Sequence, residues 1–195
     1  MEFEKARDFI LDKQKNEFPS SLYYHNVGHV LDVYDAVLRH VELAHIGKED
    51  SILLQTAALF HDSGFIIRAK GHEELSCDFA RQYLPDYGYN NDQIEKICGM
   101  IMATRIPQTP HNYLEEVLAD SDLDYLGRDD FHTISGRLYK ELTESGVVAG
   151  DKEWDAIQVR FFEDHHYFTD VAKSLRQETK MKHFEYLKSK ITPHN

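Results

Sequence analysis

The segment that most constrains the fold is a short and almost entirely apolar helical pattern, residues 50–62, which reads DSILLQTAALFHD. A helix that is apolar on most sides is stable only when other elements surround it. Ala57 and Ala58 leave room for a close neighbour. We therefore expect this helix at the centre of a bundle, with His61 and Asp62 at its end.

Helical periodicity extends over nearly the whole chain, and the alternation typical of strands is almost absent. Val30, Val33, Val37 and Val41, for example, follow the spacing of three and four residues that predicts one buried helix face. The sequence therefore predicts an all-α bundle of eight or nine helices. The predicted ranges are 3–16, 26–47, 50–62, 72–84, 91–104, 113–127, 130–146, 154–165 and 169–190.

Length and composition narrow the class of protein. The chain has 195 residues, which suits one domain with a substantial core. A formal charge of −12 argues against a surface that binds polymeric nucleic acid. No apolar run approaches the length of a membrane span, and the N-terminus has no signal-peptide pattern, so we expect a cytoplasmic protein without a membrane partner. Cys77 and Cys98 are too few for a disulfide framework and are interpreted as buried thiols.

Side chains of the metal-binding type occur at three places along these helices. They are the pair His25 and His29, the couplet His61–Asp62, and an acidic segment around Asp122. Imidazole nitrogens combined with carboxylate oxygens suit Mn, Fe, Ni, Co or Zn, with Mg also allowed, better than calcium. The couplet alone has a structural interpretation too, because a histidine at a helix C-terminus interacts favourably with the helix dipole.

The order of these residues resembles a known family. YHNVGHVLDV, then ALFHDSGF, then SDL follow the H…HD…D pattern of the HD superfamily of metal-dependent phosphohydrolases, which are all-helical enzymes. The first of these segments is also similar to the HNxxH segment of cyclic-nucleotide phosphodiesterases, and residues 154–175 resemble the tail of small bacterial HD proteins. The resemblance implies one HD-type domain over 1–195, with a motif-bearing core at 22–127 and a helical C-terminal extension at 128–195.

The resemblance also implies roles for individual residues. His25 would protonate the leaving group, and Asp62 would orient the attacking water as well as bind metal. Asp122 is preferred to Asp120 as the last ligand because the family's final Asp precedes a Leu or Arg, but Asp120 stays open as the alternative. The implied metal ligands are His29, His61, Asp62 and Asp122.

The departures from the family pattern limit the cofactor and the reaction. Members that hydrolyse c-di-GMP have a GYP motif and a Gly-Lys after the couplet, and this chain has neither. Two-metal members, which include di-iron oxygenases on this fold, add histidines on the next two helices. His72 is a candidate for the first, whereas Thr104 stands where the second would be. We expect one divalent transition metal, with a second metal weak or absent.

The expected function is hydrolysis of a small phosphate ester, most simply a nucleotide, by a phosphomonoesterase or phosphodiesterase. Arg105, Arg68 and Arg128 are candidate substrate-binding cations, and Arg105 is favoured because it follows a helix that should line the pocket. Two alternatives are a non-enzymatic nucleotide-sensing module with a bound metal and, less favoured, a di-iron oxygenase. The stretch 153–164 is amphipathic, so a homodimer formed through it stays an open alternative.

Overall fold

The computed structural model describes residues 1–191, which contain nine α-helices and no strand. The all-α prediction is therefore confirmed. None of these helices combines the length and apolarity that a membrane crossing requires. The helices are α1 (Phe3–Glu17), α2 (Val27–Leu43), α3 (Lys48–Phe60), α4 (His72–Tyr83), α5 (Asn91–Ala103), α6 (Tyr113–Asp122), α7 (Phe131–Glu144), α8 (Asp151–Asp164) and α9 (Asp170–Ile191), with short 3-10 helices at Ser63–Ile66, Leu84–Tyr87 and Asp124–Gly127.

The chain consists of two compact units, Met1–Leu123 and a second that begins at Asp124. The predicted helix 113–127 is broken at this point, because α6 ends at Asp122 and a 3-10 helix follows. The break lies close to the boundary that the sequence predicts between core and extension. The description of 1–195 as one HD-type domain stays a prediction.

In the first unit α3 is the central helix, as predicted. It packs against α1, α2, α4, α5 and α6. Seven of its thirteen residues are buried, including the adjacent alanines, so neighbours cover nearly every side of it. Because α3 is surrounded in this way, His61 and Asp62 at its C-terminal end lie in the interior of the unit.

The predicted end of the second helix is also wrong. The helix expected to end at Gly47 ends at Leu43, because His45 adopts a left-handed backbone conformation with φ of 53°. The N–H of Ile46 donates to the Val41 carbonyl at 3.0 Å, and the N–H of His45 donates to the Glu42 carbonyl at 3.3 Å. This is the Schellman pattern of helix termination, in which a glycine usually occupies the left-handed position.

The second unit is built around α9. The 3-10 helix Asp124–Gly127 packs on it, and a Cβ at Gly127 would lie 2.4 Å from the Arg176 carbonyl oxygen. Arg176 also donates to both carboxylate oxygens of Asp124, at 2.7 and 3.1 Å. The absence of a side chain at Gly127 thus allows the turn to approach the helix closely enough for this bidentate pair.

Candidate metal centre

The start of α2 is defined by Asn26. Its side-chain oxygen accepts from the Gly28 N–H at 2.8 Å, and its amide donates to the carbonyls of Leu22 and Tyr23 at 3.2 and 2.8 Å. Asn26 is therefore the N-cap, as the sequence predicts. His25 consequently lies just before the helix and His29 lies in its first turn.

The turn after α3 lies against the start of α4, and Gly64 makes this approach possible. A Cβ at Gly64 would lie 2.0 Å from the carbonyl oxygen of His72, so no larger residue fits. The Gly64 N–H donates to Ser76 Oγ at 2.8 Å, which joins the turn to α4. The glycine that follows the couplet therefore positions His72 beside Asp62.

Four side chains from α2, α6 and the end of α3 converge in the first unit. His29 Nε2 lies 3.1 Å from Asp122 Oδ1 and 3.3 Å from His61 Nε2. Asp62 Oδ2 lies 3.4 Å from His29 Nε2 and 3.3 Å from His61 Nε2, and Asp122 Oδ1 lies 3.5 Å from His61 Nε2. The side chains of His29 and Asp122 are only 7% and 14% exposed, and those of His61 and Asp62 are buried. The structure thus brings together all four residues of the implied ligand set.

The hydrogen bonding of this cluster is incomplete without a cation. His61 Nδ1 lies 2.8 Å from the Ala58 carbonyl oxygen, which can only accept, so Nδ1 carries the proton of a neutral ring. His61 Nε2 then presents a lone pair to His29 and to two carboxylates. Within the described chain, buried Asp62 Oδ2 has no hydrogen-bond donor. Imidazole nitrogens and carboxylate oxygens buried together fit a divalent cation held by His29, His61 and Asp122, with Asp62 as a further ligand.

In the absence of an ion, a proton takes the place of the cation. Burial opposes the charged form of His61, but the neighbouring carboxylates of Asp62 and Asp122 raise its pKa well above the ordinary value. Burial likewise opposes the charge of Asp122, yet hydrogen bonds from His29 and His61 lower its pKa to about 2. Burial opposes the charge of Asp62 as well, but His61, together with His72 and His29, lowers its pKa well below the ordinary value. A metal ion and a proton therefore compete for His61.

The geometry separates the two candidates for the last ligand. Asp122 Oδ1 lies against both imidazoles, whereas Asp120 is not part of the group of possible ligands found among the described residues. Side chains two positions apart on a helix point about 200° apart, so only one of Asp120 and Asp122 can face His29. Asp120 is buried on α6 and has polar contacts of its own.

His25 and His72 both contact the same buried aromatic ring, Phe65. The rings of His25 and Phe65 are stacked, with centroids 4.2 Å apart and an interplanar angle of 18°. The Phe65 and His72 centroids are also 4.2 Å apart, at 33°. Phe65, only 6% exposed, therefore gives both histidines a common packing surface. Sequence reasoning missed this role, because the only signal was an aromatic residue three positions after the couplet.

His72 contacts the oxygen of Asp62 that faces away from His29 and His61. Its Nε2 lies 3.3 Å from Asp62 Oδ1, and its Nδ1 lies 3.0 Å from the Ala69 carbonyl oxygen. Burial opposes its charged form, but Asp62 raises the pKa of His72. Thr104 contributes no such nitrogen, and its hydroxyl donates to the Ile101 carbonyl at 2.8 Å.

The three arginines predicted to bind substrate all have protein partners. Arg105 pairs with Glu74, Arg68 donates from Nε to the Lys70 carbonyl oxygen at 3.0 Å, and Arg128, in the second unit, pairs with Asp130. Arg105 also lies 3.6 Å from Glu73, which neighbours His72 in the first turn of α4. A role in binding phosphate stays a prediction for each arginine.

The fold is similar to that of a solved structure. A crystal structure of a Lactobacillus plantarum protein, determined as a structural-genomics target, matches with a TM-score of 0.66 over 97% of this chain and 98% of that one. The sequence identity is 17%, so the similarity concerns the fold alone. No family model matches the sequence, and no curated protein does.

Proposed function

We propose that the chain is a metal-dependent phosphohydrolase that cleaves a small phosphate ester, most simply a nucleotide. The observation that supports this proposal is the convergence of imidazole nitrogens and carboxylate oxygens from His29, His61, Asp62 and Asp122 in one buried cluster. Their order along the chain also resembles the HD superfamily pattern. Together the donor set and the resemblance favour phosphoester hydrolysis over other reactions.

The four residues of the cluster would hold one divalent transition metal. Such an ion, when bound, supplies positive charge for a phosphoryl group and makes water acidic enough to act as a nucleophile near neutral pH. Asp62 would accept a hydrogen bond from that water, because its carboxylate lies at the cluster. His72 contacts the other oxygen of Asp62 at 3.3 Å and would hold the carboxylate in orientation.

His25 would act as the general acid. It lies outside the ligand cluster, with its ring 6.0 Å from that of His29 and 6.3 Å from that of His72. Imidazole suits proton transfer near neutral pH, and a hydrolysed phosphoester needs a proton on its leaving oxygen. The stacking on Phe65 would keep the His25 ring directed toward that oxygen.

The test combines metal analysis with turnover on protein purified without a His-tag. We expect about one transition-metal ion per chain, and hydrolysis of nucleoside monophosphates, cyclic nucleotides or nitrophenyl phosphates in the presence of Mn²⁺, Ni²⁺ or Zn²⁺. His61→Ala should lose both metal and turnover. His25→Ala should keep the metal and lose about 10²–10⁴-fold in turnover. His111→Ala, at an exposed position outside the cluster, is the matched control.

Other outcomes distinguish the alternatives. If the protein binds metal but hydrolyses no ester, and His25→Ala still binds nucleotide, the chain would be a nucleotide-sensing module and not an enzyme. Wild type that holds no more metal than His61→Ala would make the cluster purely structural.

A two-metal enzyme, such as a di-iron oxygenase, is the second candidate. The observation that favours it is the position of His72, since Asp62 faces histidines through both of its oxygens. Two iron ions per chain in the wild type, and one in His72→Ala, would support this candidate. One ion per chain in both proteins would exclude it.

A further inference from the structure

We propose that Cys77 and Cys98 are a redox-sensitive pair that a hydroperoxide converts into a disulfide between α4 and α5. This inference is independent of the proposed hydrolase activity. The two residues are 21 positions apart, and from the sequence they are interpreted as separate buried thiols. They are indeed buried, at 2% and 3% exposure, but the fold brings them together.

The two thiols contact one another's backbone reciprocally. Cys77 Sγ lies 3.5 Å from the Cys98 carbonyl oxygen, and Cys98 Sγ lies 3.8 Å from the Cys77 carbonyl oxygen. Contacts in both directions place the residues directly opposite each other on neighbouring helices. A disulfide requires two cysteines that face each other at close range.

The surroundings make the two sulfurs chemically unequal. The thiol of Cys77 hydrogen-bonds to Cys98 and lowers its pKa against the effect of burial, whereas the guanidinium of Arg81 lowers the pKa of both thiols. The same hydrogen bond, together with burial, raises the pKa of Cys77. The thiolate is the nucleophilic form, so Cys98 is the first to react and Cys77 is the resolving thiol.

The reaction with hydrogen peroxide balances in two steps. The Cys98 thiolate attacks one peroxide oxygen, which forms an S–O bond, breaks the O–O bond and releases hydroxide that takes up the thiol proton as water. The Cys77 sulfur then attacks the Cys98 sulfur, which forms the S–S bond and releases the sulfenic oxygen as a second water with the Cys77 proton. The two thiols lose two electrons, and the peroxide is reduced to two waters.

Access to the buried pair requires only local opening of α4 and α5, because hydrogen peroxide is little larger than water. Once formed, the bond would close a loop from Cys77 to Cys98. A loop of this length constrains the unfolded chain enough to raise the Tm by about 5–10 °C. The position of the bond, five residues after His72 begins α4, would fix that helix to its neighbour.

The experiment exposes the folded full-length chain to a small molar excess of hydrogen peroxide. Remaining thiols are then alkylated in denaturant and the intact mass is measured. We expect the loss of two hydrogen atoms per chain, no alkylation at either cysteine, and a higher Tm that dithiothreitol reverses. Cys77→Ser should yield a sulfenic acid at Cys98 that dimedone traps, whereas Cys98→Ser should stay largely reduced under the same treatment.

Three outcomes would overturn the inference, and all are measured on wild type, so they do not depend on the variants folding. The first is full alkylation of both cysteines after a treatment that oxidises free cysteine. The second is a disulfide that forms only in urea. The third is a disulfide that lowers the Tm, because the bond would then strain the native helix pair.

Discussion

His29 and His61 face each other through their Nε2 atoms, 3.3 Å apart, although the two residues belong to different helices. A carboxylate oxygen of Asp62 lies within 3.4 Å of both nitrogens. If both Nε2 atoms carry lone pairs, or if both rings are protonated cations, the two imidazoles repel one another. Only a shared proton or a metal ion between them and the carboxylates makes the arrangement favourable.

The first prediction concerns the pH dependence of stability in metal-free protein. Because the folded-state pKa of His61 is raised, its contribution is complete below the ordinary pKa of 6.5 and is lost as the pH rises through the raised value. The pKa of Asp122 falls from 3.8 to about 2, so its contribution is present above pH 3.8 and is lost as the pH falls toward 2. We expect the cluster to stabilise the fold most between these two ranges.

Urea unfolding across pH measures this dependence. The acid-side loss attributable to Asp122 should be about 2 kcal/mol, and it should be absent in Asp122→Asn. Saturating metal should remove most of the alkaline loss, because the ion replaces the proton on His61. If wild type and Asp122→Asn had identical pH profiles of stability, the acid-side loss could not be assigned to Asp122.

The second prediction separates helix capping from the metal site. Asn26→Ala removes the N-cap of α2 and the two bonds from its amide, and should cost about 1 kcal/mol of stability. Asn90→Ala removes the N-cap of α5, where Gln93 completes a capping box, at a similar cost. Only Asn26→Ala should also weaken metal binding, because His29 lies in the turn that Asn26 positions. Metal affinity is measured by competition with a chelating dye. Equal metal affinities of Asn26→Ala and Asn90→Ala would contradict the prediction, because α2 would then position His29 without its N-cap.

The third prediction concerns the glycine after the couplet. A Cβ at Gly64 would lie 2.0 Å from a backbone oxygen of α4, so Gly64→Ala should destabilise the fold by about 2 kcal/mol or more. Gly136 in α7 has open space around its Cβ position, so Gly136→Ala should stabilise by roughly 0.5–1 kcal/mol. Urea unfolding of both variants tests the pair. Equal and small changes would mean that the turn can move away from α4 at little cost.

Much of the fold follows from local patterns that the sequence displays. Each of the nine predicted helices is present, and the apolar helix with its alanine pair is central because no solvent-exposed arrangement could cover it. The end of α2 could not be predicted in the same way. His45 takes a left-handed conformation that usually signals glycine, so the pattern pointed instead to Gly47.

The parts of the site that escaped prediction depend on tertiary packing. The preference for Asp122 over Asp120 rests on the family resemblance, because which of the two faces His29 depends on the rotation of α6 and the apolar pattern of that segment allows either phase. The contact of Phe65 with both His25 and His72 depends on how the 3-10 turn meets α4. The pairing of Cys77 with a thiol 21 residues away is likewise invisible in local periodicity.

The last prediction tests Phe65 as a positioning residue for the proposed general acid. Phe65→Leu removes the ring that stacks on His25 at 4.2 Å but leaves the ligand cluster in place. Turnover should fall by about 10-fold or more, with metal content and KM nearly unchanged, because a displaced acid affects the transition state more than substrate binding. Phe79→Leu, at another buried phenylalanine of the same unit, should cost similar stability without this loss of turnover. If both variants lost turnover equally, or if Phe65→Leu also lost metal, the ring would serve the packing of the unit and His25 would be oriented by other contacts.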